Sequence, residues 1–144
     1  MKSLLEISKK FVGTKFILCS NEGMDCFRLC IEYLKMKGAK IPDSTTYKGF
    51  NIFDYKSMYE IDPFKTMKLA EEFIASLTIE VKIGFEIAGD ILKMKTKKIK
   101  NDLPSHFGIE AGNNQVIIAV IDDKIKVVNK NLFKVERVFR WAQE

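Results

Sequence analysis

The sequence is poor in several residue types that mark other protein classes. Its 144 residues include only three prolines, three cysteines and one histidine. No Pro/Gly-rich linker, internal repeat or low-complexity tract interrupts the chain, so we predict a single domain over residues 1–144. The longest apolar run, residues 116–121, is far too short to cross a bilayer, which argues against membrane insertion.

The first residues do not resemble a secretion signal. Residues 1–12 contain lysines and leucines, but Glu6 interrupts them and no small-residue cleavage site follows. We therefore expect a protein that is made in the cytoplasm without a signal peptide.

The cysteines exclude two kinds of stabilised scaffold. Cys19, Cys26 and Cys30 cannot all pair within the chain, and none of them belongs to a CxxC pair. The only histidine, His106, lies far from them in sequence, so the spacing fits neither a disulfide framework nor a zinc site. We expect free thiols, and neither a metal nor another cofactor.

The net charge of +5 comes from lysines that are spread along most of the chain. The exception is a run of five lysines between residues 93 and 100, which could contact an anionic polymer such as nucleic acid or teichoic acid. No aromatic residues are interleaved with it, as a single-strand stacking surface would require. We interpret the run as a solvated strand end and loop, and expect no nucleic-acid partner.

Helical periodicity dominates the first half of the chain. Apolar residues recur at helical spacing over residues 2–12, which predicts a first helix that ends at Gly13. A second helix is predicted between an N-cap at Asp25 and a C-terminal stop at Gly38. An irregular, aromatic-rich stretch follows over residues 42–59, and Asp62 and Pro63 then begin a third helix. The apolar stripe of the second helix comprises Cys26, Leu29, Cys30, Tyr33 and Leu34, and the inward residues of the third comprise Phe64, Met67, Ala70, Phe73, Ile74 and Leu77.

The last part of the chain alternates as strands do. Apolar residues alternate from Val81 to Ile87, and Gly89 and Asp90 turn the chain into another strand. The turn sequence at residues 112–114 separates two apolar runs and predicts a hairpin that begins at His106. Further strands are predicted over residues 125–128 and 135–141. Helices followed by an antiparallel meander indicate an α+β domain.

Cys26 has two interpretations. A cysteine nucleophile requires its thiolate, which a helix N-terminus and a neighbouring imidazole both favour. Cys26 directly follows the predicted N-cap Asp25, whereas Cys30 lies one turn deeper and Cys19 lies in a loop. The alternative is that Cys26 is a small buried apolar residue, a common role for free cysteine.

His106 is the only candidate for the base. A lone histidine is often structural, but His106 begins a predicted strand, from which its side chain could face a helix end packed on the sheet. Any Cys/His chemistry in this chain must therefore use it, and Cys26 is the thiol with the more favourable position.

Five short motifs follow one another along the chain. They are GTKF at residues 13–16, GMDCFRL at 23–29, GAKIP at 38–42, GDIL at 89–92 and HFGIEAGNN at 106–114. Together and in this order they resemble the NlpC superfamily of papain-like cell-wall cysteine peptidases. The second motif resembles the nucleophile-bearing helix start of that family, and the last resembles its histidine strand and turn.

The resemblance implies a papain-like α+β fold, with N-terminal helices packed on an antiparallel meander or partial barrel. It implies hydrolysis of amide bonds in peptidoglycan stem peptides, typically next to γ-linked D-glutamate, with Cys26 as nucleophile and His106 as base. The DCFxL sequence from Asp25 looks most like the branch found in bacteriophage tails and prophages, which implies phage tail proteins as possible partners and a virion-associated location.

The sequence departs from the family pattern at the residue that orients the imidazole. That position falls at Ile118, within an apolar run, and Gln115 and Asn129 are the distant polar alternatives. Phe16 also stands where the family commonly has a tyrosine. Loss of an orienting residue can cost orders of magnitude in rate.

Three functions therefore remain open. The first is a peptidase with a Cys26–His106 dyad, and the second is a virion structural or assembly protein that keeps the fold with little or no activity. The third is a related Cys/His acyltransferase or amidase that acts on a substrate outside the cell wall.

Overall fold

The computed structural model describes residues 10–13, 25–97, 106–119 and 124–142. After a helical turn at Lys10 and Phe11, the described residues form helices, strands and one 3₁₀ turn. The helices are α1 (Cys26–Met36), α2 (Lys56–Ile61) and α3 (Pro63–Leu77), and the 3₁₀ turn is Lys130–Leu132. The strands are β1 (Thr46–Tyr47), β2 (Phe50–Asn51), β3 (Ile79–Val81), β4 (Ile91–Thr96), β5 (His106–Gly112), β6 (Gln115–Ala119), β7 (Ile125–Asn129) and β8 (Phe133–Arg140).

The main sheet is antiparallel, and its six strands lie in the order β3-β8-β4-β5-β6-β7. The predicted α+β class is confirmed. The predicted meander is confirmed for β4 to β7, in which each strand pairs with the next along the chain. It is wrong for the last strand, because β8 crosses back and inserts between β3 and β4.

The helix that carries Cys26 begins and ends as its sequence predicts. The Asp25 side chain caps it, with Oδ1 accepting a hydrogen bond from the Arg28 backbone N–H at 2.7 Å. Beyond the other end, Gly38 adopts a φ of +112°, a conformation that favours glycine. The predicted apolar stripe is buried from Leu29 to Leu34, and Cys26 at its start is half-buried.

Two apolar clusters lie on opposite faces of the sheet. The first packs α1 and α3 against strand residues such as Ile91 and Ile109. The second is supplied by strands alone. Its buried members are Leu92, Met94, Val116, Phe133 and Val138. Because successive side chains of a strand point to opposite faces, neighbouring residues of β4 and β6 are divided between the two clusters.

A hydrogen bond to the Gly-Asp motif connects α1 to the start of β4. The Tyr33 hydroxyl of α1 donates a hydrogen bond to the Gly89 carbonyl at 2.7 Å. Gly89 has a φ of +97°, and a Cβ there would lie 2.9 Å from that hydroxyl, so a side chain would be excluded. The next residue, Asp90, is buried, and both its carboxylate oxygens bind the Arg140 guanidinium at 2.9 Å. Asp90 thus has the structural role that its place at a strand start indicates.

The predicted hairpin at the C-terminal side is confirmed. β5 and β6 pair antiparallel, and the turn between them places Asn113 and Asn114 at φ values of +51° and +58°. Consecutive left-handed residues are typical of a tight hairpin turn, and asparagine tolerates them well.

Three predictions of local structure are wrong. The predicted strand ends at Val81, and residues 82–90 are not part of any strand. The alternating side chains of Ile83, Phe85 and Ile87 are exposed. Phe64 in α3 is also exposed rather than inward-facing. The stretch predicted as irregular contains the β1–β2 hairpin and α2.

Several predictions fall outside the described residues. They concern residues 2–9 of the first predicted helix, the loop with Cys19, the position of Phe16 and the last two lysines of the basic run. The single domain over residues 1–144 stays a prediction. In the part of the chain that the structure describes, no helix is long and apolar enough to cross a membrane.

Candidate active site

Cys26 is the first residue of α1 and lies beside the start of β5. The Phe27 and Phe107 rings meet, with their centroids 6.5 Å apart. The backbone N–H of Phe107, the residue after His106, lowers the pKa of the Cys26 thiol. The start of α1 therefore packs on the strand that begins at His106.

The thiol environment favours the neutral form. Burial, and then the negative charge of Asp25, raise the pKa of Cys26 from 9.0 to about 12. The backbone N–H groups of Phe107, Phe27 and Cys26 act in the opposite direction without reversing the shift. The helix start thus supplies the expected stabilisation of a thiolate, but it does not outweigh burial, and the resting group is a thiol.

His106 is the first residue of β5 and pairs with Met94 across the sheet. The residue is half-buried, and burial lowers the pKa of its imidazole below the ordinary 6.5. At neutral pH the ring is uncharged and can accept a proton. Because side chains alternate along β5, His106 leaves the strand on the face opposite to Phe107, and its pKa shift is attributed to burial and not to the thiol.

Asp25 has a second partner that its capping role did not indicate. The Tyr55 hydroxyl, in the loop before α2, donates a hydrogen bond to Asp25 Oδ2, while Oδ1 caps the helix. Both residues are buried, with Tyr55 4% and Asp25 2% exposed. No spacing rule links positions this far apart in sequence, and the only signal was the cluster of aromatic residues around Tyr55.

Those aromatic residues pack beneath the start of α1. Phe27 contacts Phe50 and Tyr55 at centroid distances of 5.4 and 5.5 Å, and Phe50 contacts Tyr55 at 5.2 Å. Phe50 and Tyr55 are buried, so they have a packing role. The cluster of Phe27, Phe50, Tyr55 and Phe107, hereafter the aromatic cluster, joins the loop, the helix start and β5.

Ile118 lies where the family resemblance places the orienting residue. Since Ile109 pairs with Ile117, the next pair sets Ile118 opposite Gly108, on the face from which His106 leaves. Ile118 is half-buried and packs against the second apolar cluster. A Cβ on Gly108 would lie 2.8 Å from both Met94 and Val116, so apolar side chains already fill this face.

The two distant polar alternatives to Ile118 lie at the other end of the hairpin. Gln115 and Asn129 are paired across β6 and β7, next to the β5–β6 turn. The Asn129 side chain accepts hydrogen bonds from the Asn131 backbone and the Asn114 amide. Neither residue is therefore placed to orient an imidazole at the start of β5.

Two of the three described lysines of the basic run, Lys93 and Lys95, have acidic partners. Lys93 Nζ lies 2.6 Å from a Glu71 carboxylate oxygen, and both Lys93 and Lys95 lie 4.0 Å from Glu136. These ion pairs favour the interpretation of a strand surface over that of a polyanion site. Among the described residues, no group of three or more His, Cys, Asp or Glu side chains could hold a metal ion.

Comparisons with known proteins gave no match for the sequence but several for the structure. No protein-family model matches the sequence, and no curated protein matches it either. The structure is similar to the NlpC/p60 domain of the peptidoglycan hydrolase SagA, with a TM-score of 0.57, 18% identity, and 94% of each chain covered. It is also similar to the P60 domain of an M. avium paratuberculosis antigen, with a TM-score of 0.52 and 13% identity, over 95% of this chain and 89% of that one. The expectation drawn from the motifs is thus confirmed for the fold: the chain folds as the NlpC/p60 domains do.

Proposed function

We propose that the protein is a cysteine peptidase that hydrolyses amide bonds of peptidoglycan stem peptides, with Cys26 as nucleophile and His106 as base. The observation that carries the proposal is the placement of Cys26 at the start of α1, beside the Phe27–Phe107 contact that joins this helix start to the strand beginning at His106. The NlpC/p60 fold supports the substrate class, because one structural neighbour is a domain of a peptidoglycan hydrolase.

The pKa shifts suit a pair that exchanges a proton only when substrate is bound. Burial raises the pKa of the thiol and lowers that of the imidazole, so both are uncharged at rest. As the sulfur attacks the carbonyl carbon, His106 takes the thiol proton and later returns it to the leaving amine. Water then hydrolyses the thioester. The Cys26 and Phe27 N–H groups at the helix start are suited to stabilise the oxyanion.

The same proposal includes the origin and location of the protein. The DCFxL sequence from Asp25 supports a phage or prophage protein that is made in the cytoplasm and acts in cell-wall penetration or lysis. Tail proteins are its proposed partners. Retention of the protein on purified tails from which loosely bound protein has been washed would test this location separately from the chemistry.

The chemistry is tested with purified peptidoglycan and the full chain. The wild type should release stem-peptide fragments, and Cys26→Ala should abolish their release while the circular dichroism spectrum is unchanged. Cys30→Ala is the matched control, because Cys30 lies one turn deeper in the same helix and is fully buried. Equal turnover by the wild type and Cys26→Ala would remove the proposed mechanism.

A second function is favoured by the apolar surroundings of Ile118 and the raised pKa of Cys26. It is a virion structural or assembly protein that keeps the fold without the chemistry. This alternative predicts no fragment release by the wild type. It also predicts iodoacetamide alkylation of Cys26 at a slow rate that His106→Ala does not change, whereas the peptidase predicts a rate that falls in that variant.

A further inference from the structure

We propose that Tyr55 is a positioning residue for Cys26, because its hydroxyl holds the Asp25 carboxylate and so fixes both the helix start and the charge beside the sulfur. The proposal rests on the proposed function in one respect, which is that Cys26 is taken as the reactive thiol. Nothing in the motifs assigns Tyr55 a role in the site.

The two oxygens of the Asp25 carboxylate accept hydrogen bonds from different donors. Oδ1 accepts the Arg28 backbone N–H and begins α1, while Oδ2 accepts the Tyr55 hydroxyl. A carboxylate that is 2% exposed receives little help from water, so each hydrogen bond to it is worth more than one on the surface. Tyr55 therefore holds in place the carboxylate that is next to Cys26 in sequence.

The hydroxyl is held in place by the aromatic cluster. The Tyr55 ring meets Phe27 edge-on, at an interplanar angle of 84°, and it also packs against Phe50. Phe27 in turn contacts Phe107 of β5. The ring that aims the hydroxyl at Asp25 thus belongs to the packing that sets the distance between the helix start and β5.

The charge on Asp25 matters because the thiolate forms directly beside it. Asp25 is one of the two causes that raise the Cys26 pKa, after burial. In the part of the chain that the structure describes, the backbone N–H groups of Phe107, Phe27 and Cys26 lower the Cys26 pKa, and Cys30, one turn deeper, has its own pKa raised by burial and by Cys26. A hydroxyl that donates to the carboxylate draws its negative charge away from the sulfur, which makes loss of the thiol proton easier.

The test is the pH dependence of Cys26 alkylation by iodoacetamide in the full chain, followed by peptide-mapping mass spectrometry so that Cys19 and Cys30 are scored separately. Tyr55→Phe keeps the ring and removes the hydroxyl. We expect the rising limb of the rate–pH profile to move to higher pH and the rate at neutral pH to fall by less than the roughly 10-fold that one hydrogen bond can be worth, because the hydroxyl acts on the sulfur only through the carboxylate. The matched control is Tyr47→Phe, whose hydroxyl contacts Glu72 instead. An unshifted limb, or an equal shift in Tyr47→Phe, would overturn the proposal.

A second variant separates charge from simple packing. Asp25→Asn keeps an oxygen that can cap the helix but removes the negative charge, so alkylation at neutral pH should become faster. Adding Tyr55→Phe to Asp25→Asn should then change the rate by less than about 2-fold, because no carboxylate charge remains for the hydroxyl to draw away from the sulfur. If Tyr55→Phe slows alkylation as much in that background as in the wild type, the electrostatic role is wrong.

Failure of the proposed function would be visible separately. Alkylation needs no peptidoglycan, so a chain that releases no fragments would still show whether Tyr55 controls the thiol. Conversely, an active peptidase with an unshifted Tyr55→Phe profile would contradict only the role of Tyr55.

Discussion

At its first residue β5 carries His106, near the helix start that holds Cys26, whereas near its last residue it carries Glu110. Burial affects the titratable groups at both ends, but with different results. Burial raises the pKa of Cys26 to about 12 and lowers that of His106, so both groups are uncharged. Glu110 is only 4% exposed, yet the Lys130 ammonium lies 2.5 Å from one of its oxygens and 2.9 Å from Glu86.

The difference separates two uses of buried polar groups. A buried charge that meets an opposite charge is fixed, and removing its partner destabilises the fold. A buried group that stays neutral keeps its proton available for transfer once a substrate changes its surroundings. We therefore expect changes at the start of β5 to affect chemistry and changes at its end to affect stability.

The largest effect should come from His106→Ala. Loss of the base should lower the rate of fragment release from peptidoglycan by about 10²- to 10⁴-fold, the usual worth of general base catalysis. The free energy of unfolding in urea should change much less, because the residue is only half-buried. If His106→Ala kept the full rate of fragment release, His106 would not be the base, and the start of β5 would have no special role in the chemistry.

Lys130→Met should have the opposite profile. It leaves the buried Glu110 carboxylate without its cation and should lower the free energy of unfolding by about 3 kcal/mol. The rate of fragment release per folded molecule should be close to that of the wild type. Lys134→Met is the control, since Lys134 is exposed on β8. Equal stability of the two variants would show that the ion pair at the end of β5 contributes little.

The smallest effect concerns the pH dependence of stability. The folded-state pKa of His106 lies below the ordinary 6.5 of the unfolded chain, so the unfolded state binds its proton first as pH falls. The contribution of His106 to stability is thus present above 6.5 and is lost as pH drops through the folded-state pKa. The free energy of unfolding in urea should fall more steeply below pH 6.5 for the wild type than for His106→Gln. An equal pH dependence of the two chains would contradict the burial of this imidazole.

Local signals were enough to predict the elements that carry the candidate site. The capping position of Asp25, the stripe from Cys26 to Leu34 and the turn after Gly112 each depend on residues close in sequence. Their physical causes act within a turn or a hairpin, so the sequence alone contains them. The fold class followed from the order of those elements.

Local sequence signals do not predict contacts between segments that are distant in sequence. The alternation from Val81 to Ile87 is typical of a strand, but a strand also needs a neighbour to pair with, and β8 pairs only as far as Val81. The hydrogen bond from Tyr55 to Asp25 depends on how a loop packs against a helix. The raised pKa of Cys26 likewise depends on the protein atoms around it, which outweigh the favourable helix start.

The most direct measurement of the central claim is covalent trapping with a stem-peptide analogue that carries a chloromethyl ketone at the scissile position, from which the thiol displaces chloride to form a stable thioether. Peptide-mapping mass spectrometry would locate the label on the full chain. The account predicts labelling at Cys26 that is much slower in His106→Ala than in the wild type. Labelling confined to Cys19 or Cys30, or labelling of Cys26 at the same rate in both chains, would contradict a thiol and imidazole that act together.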